Sequence, residues 1–556
     1  MNLFYIIFRK MKSIKIIISF AFSIISFSVF AQNLNIPLQA NFNRTLESEI
    51  NKSTYIFHTS FFPLNKQFIS KIDTDSLLFG FQRDASFIAN RKWKWFWRKL
   101  RTENLAQVKA KDYQIIINPL YNFSLDKDLN SNAWLKDGLF SVNTRGVQIL
   151  GSVGKNVSFY TDFYENQAYF IDYLDEFAHQ YLVAPGQGAR KNFGTGGHDY
   201  AIVSGYLSFS PAHFINIQLG HGKHFIGNGY RSLLLSDNAT VYPYLKFNLE
   251  FGKFQYVSLF SQNQAHYTNF LDYRYRNGGS FNYLSFSPNH RVELSVFEGL
   301  ISLISDSTSL TNYPLSYFNP LILTRTAQYG LSNENNIILG FNARIKISKK
   351  ILVYGQFMLD DLKNSKHSTP KNARWGAQAG IKIFNALSEI KALEKHNLFL
   401  QTEYNSVKPF SYSSNNAWQN YSHINQALAH PLGANFSEFV GILEYRFKDI
   451  SLEFNYIRAE KGLNTSDFNF GSDIFQLNDF EATQLNADFS GKIGEGLKTI
   501  IENKKVKLSF LLNPNVNMKI FMELNFRSTS NTEIKTNSSY ISFGLKTDLR
   551  NFYYDF

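Results

Sequence analysis

The sequence predicts an all-β chain, a transmembrane antiparallel β-barrel of roughly 16–20 strands. Three observations predict it: long segments that alternate greasy and polar residues, connections of two very unequal lengths, and a final segment that alternates aromatic residues and ends on one. The stretch 336–361, NNIILGFNARIKISKKILVYGQFMLDD, shows the first. Ile337, Leu339, Phe341, Ala343 and Ile345 fall on one face, and Asn342, Arg344 and Lys346 on the other, with Ile338 and Gly340 between. Ser348, Lys349 and Lys350 make a short polar turn. The return strand puts Ile351, Val353, Phe357 and Leu359 on one side and Tyr354, Gln356 and Asp360 on the other. Successive strand residues point to opposite faces, so this hairpin has one greasy and one polar surface. Such a series has two physical solutions, a soluble sandwich with the greasy face inside or a membrane barrel with it outside.

The leader marks the chain for export. Ile16 to Phe30 is apolar, Arg9, Lys10, Lys12 and Lys15 precede it, and Val29-Phe30-Ala31 is followed by Gln32. That is the layout of a secretory signal peptide over residues 1–31, with Met11 as an alternative start. An uncleaved anchor fits less well, because the apolar core is short. The 556-residue chain has no cysteine, so an exported protein of this size is held by its sheet and surroundings rather than by disulfides. Mean hydropathy is −0.23, which excludes a bundle of membrane helices. The net charge of +13, largely scattered, suits anionic lipid or acidic polysaccharide better than nucleic acid.

Residues 32–110 alternate poorly and form a separate plug or periplasmic segment. A helix is expected between Phe87 and Val108, where Trp93, Phe96, Trp97 and Leu100 share a face among Arg91, Lys92, Lys94, Arg98, Lys99 and Arg101. Either the helix lies against a membrane leaflet, or it packs on the protein with its basic side chains snorkelling. The packed reading is favoured, because a plug segment must dock somewhere.

Residues 111–556 form the barrel. The alternation recurs at Val157–Phe163, Trp375–Ile383, Leu398–Tyr404, Leu443–Phe447 and Met518–Phe526. Leu339, Phe341, Val353, Ile381, Leu400 and Leu524 should face outward, and Arg344, Gln356 and Glu403 the lumen. Lys448-Asp449 is a very short turn, whereas 166–200, 306–335, 363–371 and 405–438 are long polar loops, as on the two rims of an outer-membrane barrel. The polar faces, with Arg344, Lys382, Glu403, Glu444 and Glu523, suit a wet lumen and equally a solvent-facing outer surface. The better discriminator between sandwich and barrel is the end of the chain: it closes NFYYDF, where Phe552, Tyr554 and Phe556 alternate, which reads as a last strand presented to the barrel-assembly machinery, with a bulge or turn near Thr547–Asn551.

Residues that could carry chemistry are few. Gly220, His221, Gly222, Gly227 and Gly229 lie in GHGKHFIGNGYRSLLLSDNA, whose glycines permit tight turns and close approach to a ligand or plug. His221 and His224 lack the geometry and companions of a metal site. His430 and Gly433 lie in AHPLGANF. An esterase built on His430 lacks a GxSxG elbow, and no pair stands out among Asp360, Asp361, Glu403, Glu444 and Glu453 for glycoside hydrolysis. No motif indicates a cofactor. Tyr412, Trp418, Tyr421 and His423 stand among Ser, Asn and Gln in a long loop, where aromatic faces and amides suit sugar. An interfacial aromatic belt accounts for them equally well. The loops 166–200 and 306–335 are the alternative glycan sites.

GHGKHFIGNGYRSLLLSDNA, LGFNARIKI with VYGQFMLDD, Glu403-Tyr404 and AHPLGANF resemble the Wzi capsule-assembly family of outer-membrane proteins. WFWRKLRTENL, INPL and the final YYDF resemble its Bacteroidetes branch, the gliding-motility RemB-like proteins. The resemblance covers most of the chain after residue 85. It implies a barrel of about eighteen strands, closed by an N-terminal helical element, in the outer membrane of a Gram-negative bacterium. It also implies a non-enzymatic, lectin-like role in binding, anchoring or organising surface polysaccharide, or in gliding. The competing functions are an outer-membrane channel or uptake porin and a membrane-embedded hydrolase. An obstructed lumen separates the first from the second.

Overall fold

A computed structural model describes residues 33–78, 95–130, 139–264, 276–305, 313, 315–329, 335–361, 373–476 and 489–556. The expected signal peptide, Met1–Ala31, and Trp93 with its basic neighbours lie outside the described residues.

Eighteen strands, each antiparallel to its chain neighbours, close into one barrel. They are β1 Tyr113–Asp128, β2 Leu139–Val153, β3 Val157–Tyr169, β4 Gly197–Ala212, β5 Ile215–Gly222 and β6 Tyr242–Phe251. Then follow β7 Phe254–Gln264, β8 Arg276–Asn289, β9 Val292–Ser305, β10 Asn336–Lys346, β11 Ile351–Asp361 and β12 Arg374–Ile383. The last six are β13 His396–Val407, β14 Phe436–Phe447, β15 Ile450–Leu463, β16 Leu497–Asn513, β17 Met518–Ser530 and β18 Lys535–Thr547. Pairing of Tyr540 with Asp128 through Lys546 with Asn122 closes β18 on β1, which decides against a sandwich. One rim carries tight turns such as 213–214, 252–253, 290–291 and 448–449, with 384–395 the longest; the other carries the loops 170–196, 223–241, 306–335, 408–435 and 464–496.

The alternation does what the hairpin predicts. Phe341 and Phe357 point outward and are 51% and 41% exposed, and Leu339, Val353, Ile381, Leu400 and Leu524 lie half-exposed on the same outer face. Arg344, Gln356 and Glu403 are buried inside. An apolar exterior on a closed sheet is the arrangement that hydrocarbon requires, since no sheet edge is left unpaired.

Three expectations need correction. The helix expected over Phe87–Val108 is described only as Trp95–Arg101, and Val108 belongs to a short strand, Ala106–Lys109, paired with β1. Its rings do not pack on the protein: Trp95, Phe96 and Trp97 are 60%, 59% and 53% exposed at the tight-turn rim. Asn513 and Asn515 hold the end of this helix by donating to the carbonyls of Lys99, Thr102 and Glu103. Second, NFYYDF is not a strand. β18 ends at Thr547, and residues 548–556 turn back into the lumen. The charges Asp548, Arg550 and Asp555 find buried partners there: Lys546 at 3.0 Å, Asp162, and Arg231 at 2.9 Å. Third, the lumen is not polar throughout: on the wall of β8 and β9 it is polar only toward the tight-turn rim, whereas Asp360, Asn405 and Glu438 keep it polar near the long-loop ends of β11, β13 and β14. Along β9 the inward residues run Glu293, Ser295, then Phe297 and Ile301, and along β8 they run Ser287, Ser285, then Tyr283 and Phe281, all buried.

Candidate functional site

Residues 33–78 occupy much of the polar half of the lumen and leave, against β1, β16–β18 and residues 548–555, a polar cavity of about 210 Å³ lined by Asn122, Asp126, Lys507, Glu523 and Lys546. Helix α1, Ala40–Lys52, turns Phe42, Leu46 and Ile50 into an apolar cluster with Ile36, Phe57, Phe62 and Leu64. Its polar side meets the wall. Arg44 lies 2.7 Å from Glu444 and 3.1 Å from Glu453, Glu47 lies 2.7 Å from Lys382, and the Lys346 ammonium donates to the Ile50 carbonyl at 2.7 Å. Phe61 pairs with Ile226 and Phe62 with Phe225, which joins this plug to the loop 223–241.

The apolar half is filled by two long loops that fold inward. Residues 223–241 bring Leu233, Leu234 and Leu235, all fully buried, against Tyr283, Phe297, Ile338 and Met358 of the wall. Gly340 makes room for Leu234: a Cβ there would lie 2.4 Å from its Cδ2. Residues 408–435 pack on the same three leucines. The Tyr412 hydroxyl donates to the Leu233 carbonyl at 2.8 Å, and the Tyr421 hydroxyl to the Leu234 carbonyl at 2.6 Å.

Arg231 ties these parts together. Its guanidinium is 3.2 Å from Glu438 and 2.9 Å from Asp555. Its amide and that of Tyr230 donate to Glu403, to which the Tyr354 hydroxyl also donates. His430 completes the cluster at 2.8 Å from Glu438. Burial opposes the charge of Arg231, but Asp555 and Glu438 more than offset it and hold its pKa above the ordinary value. Gly229 passes so close to Glu403 that a Cβ would lie 2.5 Å from Oε2, and Gly227, at φ +125°, would place one 2.3 Å from Gln356.

The residues singled out in the sequence therefore have these places. Tyr412, Tyr421 and His423 are buried, at 1%, 1% and 4% exposure, with their faces occupied by protein; Trp418 is half-buried. Burial pushes the His423 imidazole down to about 4, against a bond to the Val241 carbonyl. His221 lies against the Val203 carbonyl, and His224, against the Tyr242 hydroxyl, is held neutral by burial. Gly220 packs its backbone beside Gly205 and Tyr206, Gly222 packs beside Tyr244, and Gly433 turns at φ +71° beside Ile474. Asp360 accepts from the Tyr412 amide, and Glu444 and Glu453 are tied to Arg44, so each of these carboxylates is engaged by the protein.

What remains at the long-loop rim is a cavity of about 300 Å³ that the sequence did not single out. It lies between helix α3, Asp172–Tyr181, the loop 408–435 and residues 464–476. Four half-buried rings line it in series: Phe556 and Phe177 at 4.9 Å between centroids, Phe177 and Tyr181 at 4.6 Å, and Tyr181 and Phe475 at 5.8 Å. Gln180, Asn238, Asn425, Gln426, Asn464 and Gln476 supply amides, and Lys461 and Asp473 one charge of each sign. Beside it, Asp175 approaches His198 at 2.6 Å and His179 at 3.3 Å, the one His/Asp/Glu group of metal-ligand spacing among the described residues.

The fold is similar to a known carbohydrate-binding barrel. Wzi, an outer-membrane protein involved in group 1 capsule assembly in Escherichia coli, superposes with a TM-score of 0.55 at 12% identity, covering 93% of this chain and 100% of that one. A BenF-like porin from Pseudomonas fluorescens Pf-5 gives 0.40 at 8% identity over 78% of this chain and 98% of its own, and OprD from Pseudomonas aeruginosa 0.39 at 10% over 80% and 97%. No family model and no curated protein sequence matches the chain.

Proposed function

We propose that this protein is a non-enzymatic outer-membrane barrel of a Gram-negative bacterium that binds and organises surface polysaccharide at its extracellular mouth. The observation that carries this reading is a lumen obstructed along its length by the chain itself, beneath an open, aromatic-lined pocket. A plugged barrel is poorly suited to uptake, and the candidate carboxylates Asp360, Glu403, Glu444 and Glu453 are engaged in hydrogen bonds and ion pairs with the protein. Ring faces pack on the apolar faces of sugars, and amides serve hydroxyls as both donors and acceptors. Lys461 extends the choice to sugars bearing a carboxylate. A long glycan supplies many weak contacts, so retention rests on avidity. The capsule-assembly role is the finer reading that the likeness to Wzi supports, and gliding would draw on the same attachment, in line with the RemB-like motifs.

The test is affinity electrophoresis of the purified protein in gels containing polysaccharide from its own cell surface. Tyr181→Ala with Phe475→Ala should weaken retardation about tenfold, the equivalent of roughly 1.4 kcal/mol, with heat-modifiable migration unchanged. Equal retardation of a folded double variant would remove the pocket from the account.

A further inference from the structure

The outer wall carries a polar row where hydrocarbon should lie. Ser258 of β7, Asn282 of β8 and Glu298 of β9 are cross-strand partners near the middle of their strands. They sit on the outward face, in phase with the exposed Phe254, Phe286 and Leu294, yet they are 3%, 0% and 0% exposed. An outward carboxylate at mid-strand is costly in a bilayer unless something covers and pairs it.

Part of the loop expected to stand at the extracellular rim covers it. Residues 315–329 run down the outside of the barrel and include a six-residue helix, α4, Thr324–Tyr329. From α4, Arg325 reaches Glu298 at 3.1 Å and Ser280 at 2.7 Å, and Thr326 donates to Glu298 from both its amide and its hydroxyl. The wall in turn satisfies the irregular backbone of the segment. Asn282 donates to the Asn319 carbonyl at 3.2 Å, and the Tyr256 hydroxyl donates to that of Pro320. Tyr317 enters the wall where Gly278 lacks a side chain; a Cβ there would lie 2.6 Å from its ring.

We propose that residues 315–329 are a strap embedded in the hydrocarbon layer, fastened to the barrel by Arg325 and Glu298 and contacting lipid acyl chains with its outer side. Non-helical backbone survives at membrane depth only where its polar groups are satisfied by protein. The polar row does this from beneath. The outer side is apolar: Leu315, Phe318, Leu321 and Leu323 are 91%, 49%, 63% and 43% exposed, continuous with the greasy exterior around them. The row and the strap explain each other, since each would be out of place in lipid alone.

The absence of cysteine makes the test clean. A nitroxide is placed at Leu321→Cys, with Phe341→Cys as the lipid-facing reference and Glu389→Cys, on the tight-turn rim with its side chain 84% exposed, as the aqueous one. In phosphatidylethanolamine–phosphatidylglycerol vesicles the Leu321 label should match Phe341, open to oxygen and closed to a water-soluble nickel chelate. Matching Glu389 would put the strap in water, and closure to both would mean that a second copy or another protein covers it; either result overturns the proposal. Adding Arg325→Ala should move the label to the aqueous pattern while heat-modifiable migration persists. A label that stays in lipid would show that the ion pair is not the fastener.

Discussion

The two halves of the lumen are filled by different means. Toward the tight-turn rim the plug is a separate stretch of chain, residues 33–78, and its helix meets the wall through ion pairs such as Arg44 with Glu444 and Lys382 with Glu47. Toward the long-loop rim the filling is the barrel's own loops, and the contact is a continuous apolar core around Leu233, Leu234 and Leu235. The lower plug is docked, whereas the upper one shares a core with the wall. Damage should therefore cost more above than below.

The largest effect is expected at Arg231, the buried charge that joins the upper loops to residues 548–556. Arg231→Ala strands Glu438 and Asp555 and should cost about 3–5 kcal/mol, read as a lowered urea midpoint in vesicles. Leu234→Ala, which opens a cavity beside Gly340, should cost about 3 kcal/mol. An unchanged midpoint for either would mean that the loops do not form a shared core.

Acid sharpens the comparison. His423, and less strongly His430, are held neutral by burial in the upper plug. A folded pKa of about 4 against an ordinary 6.5 means that the opened loop binds more protons below pH 6.5. Stability is therefore undiminished above pH 6.5 and falls between pH 6.5 and 4, by about 3 kcal/mol for His423 alone. Hydrogen exchange of 408–435 should accelerate over that window before the barrel strands do, and His423→Asn should flatten the dependence. The smallest effect is expected below: Lys382→Met removes one partner of a partly exposed pair and should cost about 1 kcal/mol.

The barrel was legible because its outer face alternates strictly. Leu339, Phe341, Val353 and Phe357 repeat every second residue, and a one-residue slip would send them all inward. The filling was not legible, because inward positions obey no single rule. Phe281, Phe297 and Ile338 stand where water was expected, and the signal was the loss of alternation at Val296–Ile304, VFEGLISLI, a run greasy on both faces. The motif glycines pointed to close approach, and Gly227 and Gly229 do approach closely, to Gln356 and Glu403 of the wall. Tyr412 and Tyr421 resemble sugar-stacking residues in composition, but their loop folds inward, and nothing local in the sequence distinguishes a loop that stands up from one that folds in. The pocket at the mouth escaped notice because its rings come from Phe177, Tyr181, Phe475 and Phe556, three segments far apart in sequence.

The central claim is that this barrel is a platform and not a conduit, and conductance tests it most directly. The purified full chain in a planar lipid bilayer should show no stable current steps at neutral pH, with a known open porin as the positive control. Reproducible ohmic steps from the intact protein would contradict the account, because they would require a continuous water path through a lumen here obstructed from both ends.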